Sequence, residues 1–256
     1  MTQRISIALL AAAVIAPAAP LSAQGIHDRA PEQRFFEWTD LPFAPIEFRM
    51  RRQAMIAQLQ QTGGGVYLAP SADGATSGST FRQENDFLYF TGLELPQSML
   101  VLDAEEGLVI VFTPRRDERF ENSSRPNHFP GRSLADDLQL ASRSGITQVR
   151  PLTDLDAYIA GLVQDRRTIR VNIGGPDPSR MVRTHPTRSL THATAFVHHL
   201  QATHPTIDLA NAYDDIARLR MIKSEAEIAL LRRNAQLTAH AIMESAGRIG
   251  DGVTER

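Results

Sequence analysis

The chain has 256 residues, no cysteine and a formal net charge of -2, with 42% hydrophobic and 22% charged residues. That length suits one large or two modest domains, and so small a net charge gives no bulk attraction to nucleic acid or an anionic membrane. Without cysteine there is no disulfide, thiol nucleophile or Cys-type zinc site, so the core alone must hold the fold.

Residues 1–23 read as a signal peptide. Arg4 supplies the positive start, residues 5–16 are apolar apart from Ser6, and Leu21-Ser22-Ala23 offers small residues for cleavage before Gln24. The apolar run is short and broken by Pro17 and Pro20, which argues against a spanning helix or membrane anchor. Export is expected, to a bacterial periplasm or out of the cell. Residues 24–45 read as an extended lead-in with Pro31, Pro42 and Pro45, pinned to the body by Phe35, Phe36 and Trp38.

From Ile46 the pattern turns helical. Phe48, Met55, Ile56 and Leu59 share a face, and Gly63-Gly64-Gly65 stops the helix. A strand, Val66-Tyr67-Leu68, follows the glycines instead of Lys-Ser/Thr, so they make a turn and not a phosphate cradle. Arg49, Arg51 and Arg52 fall on the polar side and read as a solvated face.

Residues 71–80 form a Ser/Gly-rich loop. Residues 86–90 read as a buried strand or a short turn into one. Residues 99–102 and 108–112 are apolar runs around a Gly-containing loop, which predicts a hairpin buried on both faces. Residues 114–132 make a long polar loop of the kind that lines an interface. Its sequon, Asn122-Ser123-Ser124, is read as a chance match in a bacterial secretory setting. Helices over 134–144, 153–162, 186–203 and 212–219 then alternate with strands over 147–149, 168–173 and 206–209. The alternation predicts an α/β domain with a mixed sheet. Finally, Ser224 and Glu227 form a capping box. Ile228, Leu231, Ala235, Thr238, Ile242, Ser245 and Ile249 recur by threes and fours up to Gly250, the expected stop. Such a stripe must be buried against something.

Candidate chemistry is sparse. His185, His192, His198, His199 and His204 lie close in sequence, but no pair has the four-residue spacing that puts two ligands on one helix face. Asp136-Asp137 and Asp214-Asp215 are adjacent pairs. Neighbours on a helix diverge by about 100°, so helix-terminal or solvent-facing acids fit better than a dyad. There is no Gly-x-Ser-x-Gly elbow and no dinucleotide glycine fingerprint.

Two segments carry a resemblance. Residues 81–93, Phe81-Arg82-Gln83-Glu84-Asn85-Asp86-Phe87-Leu88-Tyr89-Phe90-Thr91-Gly92-Leu93, run into the apolar residues 98–103. Leu219-Arg220-Met221-Ile222-Lys223-Ser224-Glu225-Ala226-Glu227-Ile228 opens the last helix. Together they resemble the N-terminal domain and junction of Xaa-Pro aminopeptidases, in the creatinase/prolidase/aminopeptidase P superfamily, over residues 46–256. The resemblance implies an α/β, RNase H-like domain at 46–219, a mixed sheet with helices on both sides. Residues 220–256 would then be the junction and first helix of an incomplete pita-bread catalytic domain. The family's catalytic domain binds two divalent metals, usually manganese, through two Asp, one His and two Glu, and the metals activate a water that cleaves before proline. None of those ligands maps onto this chain, so no catalytic, cofactor-binding or metal residue is assigned. Gly131-Arg132 matches a family pair, but Phe120 and Phe129 stand where the family often has a Trp.

The implied function is the N-terminal portion of an exported Xaa-Pro metalloaminopeptidase, inactive alone. A peptide substrate is expected only for the full-length form, and a homo-oligomer is expected. The alternatives are a fragment of a prolidase or creatinase-like hydrolase, and a non-catalytic interaction domain.

Overall fold

The computed structural model describes residues 43–73, 82–93, 95–115, 140, 144–146, 148–175 and 192–250. The signal peptide, most of the lead-in, most of the 71–80 and 114–132 loops, Asp136-Asp137 and His185 lie outside them. So do most of the 134–144 helix and the start of the 186–203 helix, although Leu140 and Ser144 are both helical.

Pro45 opens α1 (Pro45–Gln61), where its fixed backbone angle suits a first helical turn. Three glycines then turn the chain, each with a positive φ. At Gly65 a β-carbon would lie 2.6 Å from the Thr168 carbonyl, so only glycine lets the chain enter the sheet there. The side chain of Arg170 bonds to the Gly64 carbonyl at 2.8 Å and the Thr62 carbonyl at 2.6 Å, which fixes the turn from the far strand.

The strand β1 (Val66–Pro70) follows. After α2 (Asn85–Thr91) come β2 (Met99–Asp103) and β3 (Leu108–Thr113). Next are β4 (Gln148–Pro151), a 3-10 turn over Leu152–Asp154, α3 (Leu155–Gln164) and β5 (Ile169–Val171). The chain continues through α4 (His192–Thr203), β6 (Leu209–Asn211), α5 (Tyr213–Met221) and α6 (Glu225–Ala246). The six strands form one sheet in the order β4-β3-β2-β1-β5-β6. β1, β2 and β3 are antiparallel neighbours, while β3–β4, β1–β5 and β5–β6 are parallel.

Alternation along the strands sorts side chains into two cores. Tyr67, Ala69, Leu100, Leu102 and Val111 face one way, against Met55 and Leu59 of α1, Phe87 and Phe90 of α2 and Ile216 of α5. Val66, Leu68, Val101, Ile110 and Phe112 face the other way, against Leu155, Ile159 and Leu162 of α3 and Leu200 of α4. The strands therefore read as continuous apolar runs because helices cover both faces.

Four expectations are corrected. Residues 86–90 are helical, not a strand: they are the middle of α2. A seven-residue helix bearing Phe87, Phe90 and Thr91 on its buried side is too short for its period to separate from an apolar strand. Arg51 and Arg52 are not solvated. Both are buried, Arg52 to 2% exposure, because backbone carbonyls receive their guanidinium groups. The last helix stops at Ala246 and not at Gly250, and Gly247 in a right-handed conformation forms its C-cap. The last strand is also displaced, covering Leu209–Asn211 instead of 206–209.

One charged pair lies within the sheet. Asp103, at 1% exposure, ends β2. It receives both terminal nitrogens of Arg167, at 2.8 and 2.6 Å, and the amides of Glu105 and Glu106 from the hairpin turn. Burial alone would raise the Asp103 carboxyl. The Arg167 hydrogen bonds and the turn amides outweigh it and hold the carboxyl below its usual range. The depressed value makes the native state favour the ionised form. The resulting stability is present above the unfolded value near 3.9 and is lost as pH falls through the lower folded value.

Asp103→Asn should cost about 1–3 kcal/mol, because it removes the two-pronged partner of Arg167 and leaves that cation only Glu105, at 3.0 Å. Urea denaturation at pH 7 measures this. The gap between wild type and variant should narrow as pH is lowered below about 4, and an unchanged gap would show that the carboxylate's charge is not what the site uses.

Candidate functional site

The two segments singled out in the sequence meet in space. The meeting begins with Gln83, which is buried ahead of α2. Its side-chain oxygen accepts from the amides of Ala72 and Glu84, each at 2.8 Å, and its amide nitrogen donates to the Leu95 carbonyl at 2.8 Å. One side chain thus joins both ends of the motif to the end of β1. Thr91 closes the helix: its hydroxyl donates to the Phe87 carbonyl and accepts from the Leu93 amide. Gly92 then takes the left-handed conformation, φ 69°, that ends α2.

The carbonyl end of α2 faces α1. Arg52 donates to the Phe90 carbonyl at 2.8 Å and to the Ser144 carbonyl at 2.9 Å. Arg51 donates to the Tyr89 carbonyl at 3.1 Å. Two cations thus sit at the negative end of a helix, which favours them electrostatically. Burial, with a smaller contribution from Arg49, pushes the Arg52 guanidinium down to about 10. Arg51 also lies over the rings of Tyr89, Phe43 and Phe48, at 4.5, 4.9 and 5.3 Å from their centroids. Its Nε is buried without a hydrogen-bond partner, so the aromatic faces are its surroundings there.

The other end of α2 borders a groove of about 360 Å³, lined by residues including Tyr67, Asp86, Asn172, Gly174 and Arg220. It lies beyond the carboxyl ends of the parallel strands β1 and β5, beside the point where the sheet changes from antiparallel to parallel. Such switch points are common ligand positions in α/β sheets. Asp86 is its centre. The carboxylate accepts from the Tyr67 hydroxyl at 3.2 Å, Asn172 Nδ2 at 2.5 Å and Arg220 Nη1 at 3.2 Å. Burial, then the charge of Asp86, pushes the Tyr67 hydroxyl well above its ordinary value, so it stays a neutral donor.

At the junction, α5 ends and α6 begins within three residues. The Lys223 ammonium donates to the Arg220 and Met221 carbonyls, neutralising the end of α5. Ser224 and Glu227 make the expected capping box, with bonds of 3.2 and 2.9 Å. The other carboxylate oxygen of Glu227 lies 3.4 Å from Arg51.

The remaining candidates do not assemble. Among the described residues no group of three or more His, Cys, Asp or Glu is placed to hold a metal ion, so these residues do not fit the family's two-metal centre. His198 and His199 lie on α4, and His204 follows its end. Asp215 is buried beside Arg170 at 3.5 Å while Asp214 is exposed, so the pair divides its roles and is no dyad. Gly131-Arg132, Phe120 and Phe129 lie outside the described residues. Among the described residues no helix is long and apolar enough to cross a membrane. Sequence reading did not find Asp86, Arg51 or Arg220 as a set. Each lies in or near a segment it singled out, but Asp86 and Arg220 are 134 positions apart, and Arg51 and its carboxylate partner Glu227 are further apart still.

The sheet, its two helical layers and the helix leaving from its last crossover define an α/β domain of aminopeptidase P type. Residues 48–171 match the family model described as aminopeptidase P, N-terminal domain. The Xaa-Pro aminopeptidase of Escherichia coli (strain K12) is 26% identical over 214 residues, covering 82% of this chain and 46% of that protein. Xaa-Pro aminopeptidase 3 of Homo sapiens is 27% identical over 221 residues, covering 78% and 39%. A zinc-substituted E. coli aminopeptidase P in complex with product shares the fold, with a TM-score of 0.57 at 22% identity, covering 83% of this chain and 47% of that one. The chain therefore carries an aminopeptidase P N-terminal domain. It spans less than half the length of these relatives.

Gly92→Ala tests the geometry of the motif. A β-carbon there would lie 2.3 Å from the Phe48 ring, and the left-handed backbone adds strain. The two costs, about 1–2 and 1–3 kcal/mol, should lower the urea midpoint clearly. A midpoint within error of wild type would mean that α2 ends differently from the description above.

Proposed function

We propose that this domain serves a Xaa-Pro metalloaminopeptidase, which releases the N-terminal residue of peptides with proline second. The observation that carries the reading is the match of residues 48–171 to the aminopeptidase P N-terminal domain, together with relatives named Xaa-Pro aminopeptidase. In this reading the domain is a positioning and docking unit, and the hydrolytic centre is supplied by residues other than the described ones. Two divalent ions, manganese by the family's habit, belong to that centre. In this reading the described side chains shape and position, and the metal-borne step belongs to that centre. Export and assembly into a homo-oligomer are part of the same proposal.

The exposed stripe of α6 supports association. Leu231 and Ile242 are 54% and 62% exposed, and every residue from Leu231 to the helix end faces solvent. Each such side chain gains roughly 1.5–3 kcal/mol when buried. Leu231→Glu with Ile242→Glu should raise the monomer fraction in sedimentation velocity and leave the melting of the sheet body unchanged. Unfolding of the body by this pair would place the stripe in the core and end the association reading.

The peptidase reading has its own test. The purified 256-residue chain, given manganese and an Xaa-Pro peptide, should show neither turnover nor tight stoichiometric manganese binding. The gene read onward in frame should encode two Asp, one His and two Glu in metal-site order. Metal-dependent turnover by the chain alone would overturn the division of labour. A longer frame without that ligand set would overturn the peptidase assignment and favour an interaction domain.

A further inference from the structure

The groove at Asp86 is the most obvious cavity, but the polar groups around Asp86 itself already satisfy one another. Asp86 holds three donors, and Arg220, one of them, comes from the junction. What the groove does is therefore better read from where its partners lie in the chain. Tyr67 and Asn172 belong to the sheet body, while Arg220 is the penultimate residue of α5, the helix that leads to α6.

We propose that Asp86–Arg220 and Arg51–Glu227 form a two-point latch that fixes the direction in which α6 leaves the sheet body. The first point is the 3.2 Å ion pair at Asp86, with the carboxylate oriented by Tyr67 and Asn172. The second is the 3.4 Å pair between Arg51 and Glu227, in which Arg51 is itself held by the Tyr89 carbonyl and by Glu47 at 3.1 Å. Tyr89 lies between the two. Its ring stands 4.5 Å from Arg51 and 5.7 Å from Arg220, and its hydroxyl reaches the Leu219 carbonyl at 3.5 Å.

Both points lie at or before the first turn of α6, and past Leu230 the helix is exposed on all sides. Between the points the chain is exposed: Met221 and Ile222 are 77% and 82% accessible to solvent. An element held at its base by a few charged contacts, with little buried apolar surface, sits at the low-stability end of a structure. The latch thus makes α6 rigid while both pairs are closed and free to pivot at Ile222 when they open. The first point joins the 81–93 motif to the 219–228 segment, and Arg51 of α1 supplies the second.

The absence of cysteine makes the test direct. Spin labels on Ala160→Cys of α3 and Gln236→Cys of α6 report the direction of α6 by electron–electron distance measurement. A second pair on Ala57→Cys and Ala160→Cys reports the body alone. Labelled chain is diluted with unlabelled chain so that only distances within one molecule are read. The latch is opened with Arg220→Gln and Glu227→Gln together. Gln at the third helical position keeps the capping box, so only the ion pair to Arg51 is removed.

The expected result is one narrow body–α6 distance in the otherwise wild-type chain. The double variant should lose that narrow distribution, while the body pair stays narrow and the helical circular dichroism is kept. Adding back either Arg220 or Glu227 alone should restore it in part. If the body–α6 distance stays as narrow in the double variant, the charges do not set the direction and the proposal is wrong. If the body pair broadens as well, these residues hold the core and not a latch, which also overturns it.

Discussion

Arg51 and Arg52 donate across from α1 to the carbonyls that close α2, and much of the molecule is arranged around that exchange. A seven-residue helix has few internal bonds and a costly nucleus, so it does not stand by itself. It exists here because its last carbonyls find buried guanidinium groups and its apolar side finds the sheet. The same arginines are buried beside Phe48, Met55 and Leu59, so the packed side of α1 is part apolar and part charged. Remove the carbonyl end of α2 and two buried cations lose their partners. Remove the cations and the last carbonyls of the helix lose their donors.

Much of the architecture is legible from the chain, and the reasons are local. The hairpin of β2 and β3 shows as two apolar runs around a Gly-bearing turn. The capping box at Ser224 and Glu227 is a four-residue signal, and the structure contains both of its bonds. The triple glycine marks a turn that only glycine can make. What stays hidden depends on partners far away in sequence. Nothing near residues 86–90 distinguishes a short buried helix from a strand, since Gln83, Thr91 and the arginines of α1 decide it together. Nothing near Arg51 says that its charge is received by a carbonyl 38 positions on and a carboxylate on the last helix. The Asp86 groove is hidden for the same reason. The four side chains bonded together at Asp86 come from β1, α2, the segment after β5, and α5.

The junction shows how closely two helices can be set end to end. Lys223 satisfies the carbonyls of the helix before it, and Ser224 begins the cap of the helix after it. Adjacent residues thus do opposite electrostatic work, a cation for a negative end and an acceptor for a positive one. The motif is specific because both demands fall within two residues, and it needs no catalytic role to explain its composition.

The central strand has a further consequence for how the sheet closes. β1 pairs with β2 across the segment that carries α2, and β2 folds directly back as β3. On its other side β1 waits for β5, a parallel partner far downstream, and β5 in turn waits for β6. Local antiparallel pairing forms faster than parallel pairing across a long loop. During synthesis the three-stranded meander is therefore complete while one edge of β1 still stands open. That edge carries Val66 and Leu68, both fully buried in the finished sheet. An open apolar edge is a template for pairing with another chain, and the interval before β5 arrives is when the nascent protein is most exposed to that error.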